Sequence, residues 1–407
     1  MGVNFLRRAG WLDETRTRGY LRLIALLNIA ALVLLVATSH GGIDRNGFLL
    51  GTDFLSFWTT GQMLHDHGNV YDVAAHTAAQ RAFYASDDGY TAFFYPPTFL
   101  PFCWPLGLLG YFPALALWLS ATGAAYLFAV RAWMKQMGLA QPLLVLFAAF
   151  PPVLITVAHG QTSFLVAALL GLGALLVPRR PWLAGILFGL ATIKPQFGLL
   201  VPVALLLTRE WRAIGGAALG AATLSLISTL AFGPQIWADW FHLGGAAQGA
   251  MDQGTVGYAK MQSLLAAAML VGAPGGLAYV LQGTLTLAVV GAVGWASWGR
   301  RFDLPLAALV LAGAPLATPF VLDYDMVLLA FPLIWLAGNG FGPWEKLIFL
   351  TTFISAAFSR PLALATGIPI MPVILIAFLI ILLRRVNESP RAGRAEAGAG
   401  SGASPSY

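Results

Sequence analysis

Long apolar runs separated by short polar or basic stretches make up most of this chain. Runs of roughly 20 apolar residues recur between positions 21 and 383, and each can cross a hydrocarbon core about 30 Å thick. Backbone polar groups in lipid must be satisfied within the spanning segment, which favours helices. The short alternating strands of a membrane β-barrel are absent from the pattern. We therefore predict an all-α polytopic membrane protein with about 11–13 hydrophobic segments, some of them re-entrant.

Two polar stretches interrupt the apolar runs. The first, residues 40–95, follows a first predicted span at residues 21–38. Its composition predicts short interfacial helices at residues 55–65 and 74–85. Residues 233–258 form the second stretch. We expect both stretches to be external loops.

The apolar runs predict a single transmembrane domain that occupies residues 1–386. We expect a disordered cytoplasmic tail at residues 387–407, because Gly, Ala, Ser and Pro dominate there. Beyond the first span, the predicted hydrophobic segments are residues 111–130, 142–158, 163–177, 182–207, 213–232, 277–298, 304–320, 326–337, 347–358 and 361–383. Two further candidates are a proline-broken apolar run that Tyr95 opens and a short, re-entrant candidate at residues 259–271.

Charge is sparse, and its position along the chain is informative. Only 10% of the residues are charged, against about 25% in an ordinary soluble protein. Basic residues sit beside apolar segments, as cytoplasmic loops require, so both termini are expected in the cytoplasm. They build no single basic face, so we expect no nucleic-acid partner despite the net charge of +6. With one cysteine, the chain can form neither an internal disulfide nor a cysteine metal site. The basic positions are Arg7, Arg8, Arg16, Arg18, Arg22, Arg131, Lys135, Arg179, Arg180, Arg209, Arg212, Arg300, Arg301, Arg384 and Arg385.

Lys194 is the most unusual residue of the apolar runs. With Pro195 and Gln196 it divides residues 182–207, which basic pairs flank on both sides. The segment is either a hairpin with Lys194 at its tip or one span with Lys194 in mid-membrane. An unpaired ammonium there costs several kcal/mol. A bound phosphate would relieve this cost, and so would snorkelling to the interface or a distant acidic partner.

Polar residues from distant parts of the chain are predicted to meet at one face of the membrane. When successive spans are assigned alternating directions, these residues fall at the external ends of spans. Lys194 is among them if residues 182–207 form a hairpin. A site at an external membrane interface would need this convergence. The residues are Asp53, Tyr95, His159, Gln161, Lys194, Asp323, Tyr324, Asp325 and Arg360.

Asp53 lies in the first polar stretch, between apolar and aromatic neighbours. A carboxylate at the depth of the lipid headgroups can act as a general base toward a hydroxyl group. It can equally cap the helix that the following residues predict. The two roles are compatible.

The other polar signals are weaker. His159 and Gln161 flank a glycine and suit either hydrogen bonding to a ligand or a solvated turn. Asp323-Tyr324-Asp325 superficially resembles an Asp-x-Asp metal motif, but a hydroxyl clamp or a helix start is the favoured interpretation. No metal site is therefore predicted.

The order of these motifs resembles a known family. Asp53-Phe54, Tyr95-Pro96-Pro97, Gly160-Gln161, Lys194-Pro195-Gln196 and Asp323-Tyr324-Asp325 occur in turn over roughly residues 20–385. In this order they are similar to the motifs of glycosyltransferase family 87. That family has the GT-C fold and includes polyprenyl-phosphate-mannose-dependent mannosyltransferases, so the resemblance implies a GT-C-like helical bundle.

The resemblance implies an inverting transfer of a hexose, by family analogy mannose. The donor would be a polyprenyl-phosphate-sugar, and the acceptor a lipid or glycan at the external face of a bacterial plasma membrane, among membrane lipids. Asp53 matches the family's catalytic aspartate. No cofactor is implied, because polyprenyl phosphate leaves as a stabilised anion. The resemblance places Lys194 at a basic position suited to the donor phosphate, and we expect Arg360 and Arg81 to assist it. We expect the sugar or acceptor to contact Tyr95, His159, Gln161, Gln196, Asp323, Tyr324 and Asp325.

A flippase or transporter of a lipid-linked sugar is the alternative. It would bind its substrate near the bilayer midplane, between repeated halves. The chain has no internal repeat, and its long first polar stretch carries an acid, Asp53. The depth of Lys194 relative to Asp53 separates the two functions.

Overall fold

The computed structural model describes residues 2–85 and 93–388, which fold almost entirely as helices. The protein is 74% helical and has no strand among these residues. The α-helices are α1 Gly2–Arg8, α2 Glu14–Ala37, α3 Phe54–His65, α4 Val73–Phe83, α5 Leu100–Leu106, α6 Tyr111–Gln136, α7 Leu143–Ala149, α8 Pro151–His159, α9 Ser163–Leu176, α10 Pro181–Leu190, α11 Leu200–Leu207, α12 Trp211–Phe232, α13 Gln235–Asp252, α14 Leu264–Leu270, α15 Gly275–Ser297, α16 Leu304–Gly313, α17 Ala330–Gly338, α18 Glu345–Thr366 and α19 Met371–Glu388. Four 3₁₀ segments lie at Pro97–Phe99, Ala191–Ile193, Pro195–Gly198 and Asp323–Leu329.

Within the described part of the chain, five helices are long and apolar enough to cross a membrane, namely α2, α6, α12, α15 and α18. Helix α2 has only 6% of its apolar window buried inside the protein, so its surface suits contact with lipid. Shorter apolar helices, among them α9 and α16, fill the interior of the bundle. The prediction of an all-α polytopic membrane protein is confirmed.

Helices α10 and α12 pack unusually closely. A Cβ added at Gly185 would lie 2.0 Å from the Ala213 carbonyl oxygen, and one at Gly189 would lie 2.4 Å from that of Ala217. Only glycine permits this approach, as in other small-residue membrane contacts. Residues further along α10 contact residues further along α12, so the two helices run parallel. The chain must therefore reverse between them through α11, which places Lys194 at the tip of a hairpin.

The first polar stretch contains the two predicted helices, α3 and α4. Helix α3 is more buried than an interfacial helix would be. Phe54 and Phe57 have no exposed surface, and the Phe57 ring meets Phe99 edge-on at 5.1 Å. The aromatic residues of α3 therefore form part of the core.

Two predicted boundaries differ from the structure. The segment predicted at residues 142–158 is divided at Phe150, before two prolines that begin α8. The predicted break before Pro361 is wrong, because α18 continues through this proline to Thr366. The bundle tolerates the one backbone hydrogen bond that proline removes. The helix ends where Gly367 takes a left-handed φ of 69°.

The second polar stretch also differs from a plain loop, since it holds the 18-residue helix α13. At the C-terminus, α19 extends to Glu388 and so includes the first two positions of the predicted tail. The rest of that tail, residues 389–407, lies outside the described residues.

Candidate functional site

A cavity of about 860 Å³ lies where the ends of several helices meet the hairpin tip. Its lining includes three acids and three bases, which are Asp44, Asp53, Asp323, Lys194, Lys260 and Arg360. Among the predicted polar residues it also includes Tyr95, His159, Gln161, Gln196 and Tyr324. The predicted convergence of distant polar residues is thus present around one cavity.

Asp53 occupies the N-cap position of α3, but its carboxylate makes no capping hydrogen bond. Instead, Oδ2 accepts a hydrogen bond of 2.8 Å from Nε2 of Gln161. The backbone N–H of Asp53 donates to the carbonyl of His159 at 3.1 Å, and Gly51 donates to Ala158 at 3.1 Å. These two bonds hold the start of α3 against the end of α8. The carboxylate is therefore directed toward the cavity wall and Gln161.

Gln161 is held at both ends of its amide. Its Oε1 accepts hydrogen bonds from the Tyr95 hydroxyl at 2.9 Å and from the Thr162 backbone N–H at 3.0 Å. Its Nε2 donates to the Tyr324 hydroxyl at 3.1 Å as well as to Asp53. Because the oxygen side of the amide is occupied by donors, the nitrogen must face Asp53. Gln161 therefore positions the Asp53 carboxylate.

Tyr95 lies in the segment before the first 3₁₀ turn, outside the spanning helices. Burial raises the pKa of its phenol well above the ordinary value. The hydroxyl therefore stays protonated and can donate to Gln161 throughout the physiological range.

Gly160 makes the turn that presents Gln161. Its φ of 68° is in the left-handed region, and an added Cβ would lie 2.6 Å from the Cβ of Phe54. Its carbonyl accepts a hydrogen bond from the Trp118 indole at 3.1 Å. A larger residue here would push away the start of α3, which carries Asp53.

Lys194 has a distant acid as its partner, one of the alternatives that the sequence left open. Its Nζ lies 2.5 Å from Oδ1 of Asp325, and only 4% and 3% of the two residues' surfaces are exposed. The same Oδ1 accepts a hydrogen bond from Ser163 at 2.7 Å, and Oδ2 accepts one from the backbone N–H of Leu322 at 3.1 Å. The charge of Lys194 is therefore largely compensated before any ligand binds. Lys194 still lines the cavity, whereas Asp325 lies behind it.

Asp323 faces a different cation. Its Oδ2 lies 3.8 Å from Nη1 of Arg360, which is 30% exposed. The two carboxylates of Asp323-Tyr324-Asp325 thus point to separate bases. No group of three His, Cys, Asp or Glu side chains suited to a metal ion occurs within residues 2–85 and 93–388.

His159 is oriented by its own helix. Its Nδ1 lies 2.9 Å from the carbonyl of Ile155, so this nitrogen carries the proton. The centroid of its ring is 5.8 Å from the centroid of the Tyr324 ring. The remaining nitrogen, Nε2, is thus the ring atom available to a ligand in the cavity.

Two of the predicted site residues do not line the cavity. Arg81 is exposed on α4, and Asp325 is behind Lys194. Lys260 lines the cavity but was not predicted. The next residue, Met261, forms a β-bridge with Leu322, beside Asp323. Lys260 is in no ion pair among the described residues.

Comparison with models of known protein families identifies a match for this chain. The model of glycosyltransferase family 87 matches residues 93–322, which is more than half of the chain. This region contains Tyr95, Gln161, Lys194 and Lys260, while Asp53 precedes it and Asp323 directly follows it. No protein of curated function and no solved structure matches the chain.

Proposed function

Because the chain belongs to glycosyltransferase family 87 and is therefore a glycosyltransferase, we propose that it transfers a hexose with inversion from a polyprenyl-phosphate-sugar to a lipid or glycan acceptor. By analogy with the family's mannosyltransferases, the hexose is mannose. The observation that carries this proposal is the Asp53 carboxylate, oriented by Gln161 at a cavity that also holds cationic side chains.

Asp53 is the proposed general base. It takes the proton of the acceptor hydroxyl while the oxygen forms a bond to the anomeric carbon. On the opposite side of the sugar, the bond from that carbon to the phosphate oxygen breaks, and polyprenyl phosphate leaves with both electrons of the bond. The hydrogen bond from Gln161 holds the carboxylate in one orientation during this step.

Cations near the leaving phosphate would stabilise the charge that develops there. Lys260 and Arg360 are the stronger candidates among those lining the cavity. Lys260 has no ion-pair partner in the described part of the chain, and Arg360 is 3.8 Å from its acid. Lys194 remains a proposed phosphate ligand, but its close pair with Asp325 leaves less charge for a substrate.

The apolar part of the lining suits an amphiphilic donor. Leu35, on the lipid-facing helix α2, reaches the cavity, as do Phe48 and Trp240 from other elements. A polyprenyl tail leaving the cavity beside α2 would enter the bilayer directly. Lys194 and Asp53 line one shared cavity at helix ends, which favours transfer over transport.

A transfer assay with defined donors tests the proposal. Membranes from cells that express the chain, and from cells that carry an empty vector, receive radiolabelled polyprenyl-phosphate-mannose or polyprenyl-phosphate-glucose. We expect labelled sugar to move from the donor to an acceptor lipid or glycan only when the chain is expressed. The new glycosidic bond should have an anomeric configuration opposite to that of the donor. Retention of configuration would overturn the single-displacement mechanism, and a requirement for a nucleotide-sugar donor would overturn the donor class.

A further inference from the structure

A second cavity, of about 500 Å³, lies at the other end of the helical bundle. Helix α6 connects the two ends over 26 residues, or about 39 Å. It begins with Tyr111, whose hydroxyl is 2.8 Å from the carbonyls of Leu50 and Gly51, close to Asp53. It ends with Gln136, which lines the second cavity. The two cavities are therefore separate sites.

The lining of the second cavity is strongly basic. It contains Arg179, Arg300 and Arg301 but one acid, Asp303. Arg300 is buried, and its contacts stabilise the fold. Its Nε and Nη2 donate to Oδ2 of Asp303 at 3.0 and 2.8 Å, and its Nη1 donates to the carbonyl of Val386 at 2.6 Å. The pair with Arg300 neutralises Asp303, so the positive charge of Arg179 and Arg301 remains in the lining.

Both Arg179 and Arg301 are exposed. Nη1 of Arg179 donates to the amide oxygen of Gln136 at 3.0 Å, which leaves its other N–H groups available. Arg301 is in no ion pair with any residue that the structure describes; it attracts the half-buried carboxylate of Glu210 at longer range. Apolar side chains, including Leu175 and Phe302, complete the lining.

We propose that this cavity binds the phosphate headgroup of an anionic membrane phospholipid. A guanidinium group presents paired N–H donors that match phosphate oxygens. Basic pockets between helices at a membrane surface are suited to such headgroups. The apolar lining beside the arginines favours a lipid over free phosphate, because it can contact the glycerol and the first acyl carbons. Bound there, the headgroup would connect the turn between α9 and α10 to the start of α16.

A matched pair of basic residues provides the control. Arg209 lies in the turn between α11 and α12, and Arg212 lies in the first turn of α12. The parallel packing of α10 and α12 places both at the same end of the bundle as Arg179. Neither lines the cavity. A general attraction of basic residues to an anionic surface would affect both pairs equally, whereas a built site depends on Arg179 and Arg301 alone.

The test measures lipid binding by the full-length protein, independently of transfer activity. Native mass spectrometry would count phosphatidylglycerol bound to protein purified in a neutral detergent, for the wild type, Arg179→Gln/Arg301→Gln and Arg209→Gln/Arg212→Gln. We expect one tightly held lipid in the wild type and the control. Loss of both guanidinium groups should weaken binding about tenfold or more. An unchanged melting temperature in phosphatidylcholine would show that the variant is folded.

Two outcomes would overturn the proposal. Equal loss of lipid in both double variants would indicate surface attraction without a site. Displacement of phosphatidylglycerol by millimolar inorganic phosphate would assign the cavity to a soluble anion. Preference for phosphatidylglycerol over phosphatidylcholine, lost only in Arg179→Gln/Arg301→Gln, supports the lipid site.

Discussion

The buried pair of Lys194 and Asp325 allows a prediction that separates stability from substrate binding. Breaking a buried ion pair by removing one partner costs about 3–5 kcal/mol, because the remaining charge is left uncompensated. The pair is 2.5 Å apart, and both residues are almost fully buried. In Lys194→Met, Asp325 keeps its hydrogen bonds from Ser163 and from the Leu322 backbone. We therefore expect the lower end of this range, about 3 kcal/mol.

Removing both charges should recover most of this loss. In the double variant Lys194→Met/Asp325→Asn, no uncompensated charge remains, and the asparagine can still bond to Ser163. Thermal unfolding followed by tryptophan fluorescence measures the effect, since the chain has 13 tryptophans. The melting temperature should fall by roughly 3–4 °C in Lys194→Met and return to near the wild-type value in the double variant.

Transfer activity of the same variants shows whether Lys194 also contributes to donor binding. Lys194 lines the cavity, so we expect the double variant to regain stability but to keep a raised KM for the donor. A wild-type melting temperature in Lys194→Met would refute the buried-pair reasoning. Full recovery of transfer in the double variant would limit the role of Lys194 to neutralising Asp325.

Three further predictions concern residues around the site. Gln161→Met removes the hydrogen bond to Asp53 and should lower kcat more than it raises the donor KM, in steady-state assays at several donor concentrations; a change confined to KM would contradict a positioning role. Lys260→Gln should raise the donor KM about tenfold, while Lys260→Arg and the exposed control Lys135→Gln stay near wild type; equal effects of the glutamine variants would exclude a local contact. Burial lowers the pKa of His76 from 6.5 to about 4, so the unfolded chain binds the proton more readily and stability should fall by about 3 kcal/mol as pH drops from 6.5 to 4. Melting curves of His76→Gln should lack this pH-dependent loss, and an identical pH dependence in wild type and variant would contradict it.

Local patterns predicted the elements well. The apolar runs gave the membrane helices, and the composition of the first polar stretch indicated α3 and α4 close to their observed bounds. Proline was less informative. Pro151 and Pro152 begin a helix, whereas Pro361 lies inside one. The difference depends on how neighbouring helices pack around the backbone, which a single segment does not reveal.

The partners of the polar residues could not be predicted, because tertiary structure determines which residues meet. Lys194 was identified as a residue that needs an anion, but its acid lies 131 positions away and no local pattern indicates the pairing. Gln161 and Asp53 are 108 positions apart. Lys260 escaped prediction because it follows the second polar stretch, where a lysine is unremarkable; its place at the cavity depends on the β-bridge between Met261 and Leu322.

The central claim is that Asp53 removes the proton of the acceptor hydroxyl. The most direct measurement compares single-turnover transfer by purified wild type, Asp53→Asn and Asp66→Asn, with donor binding determined on the same samples. Asp66 is a matched control, because it lies at the opposite end of α3 and outside the cavity. We predict that Asp53→Asn binds the donor normally but transfers the sugar about 10²–10⁴-fold more slowly, while Asp66→Asn behaves as wild type. Transfer at the wild-type rate by Asp53→Asn would contradict the claim.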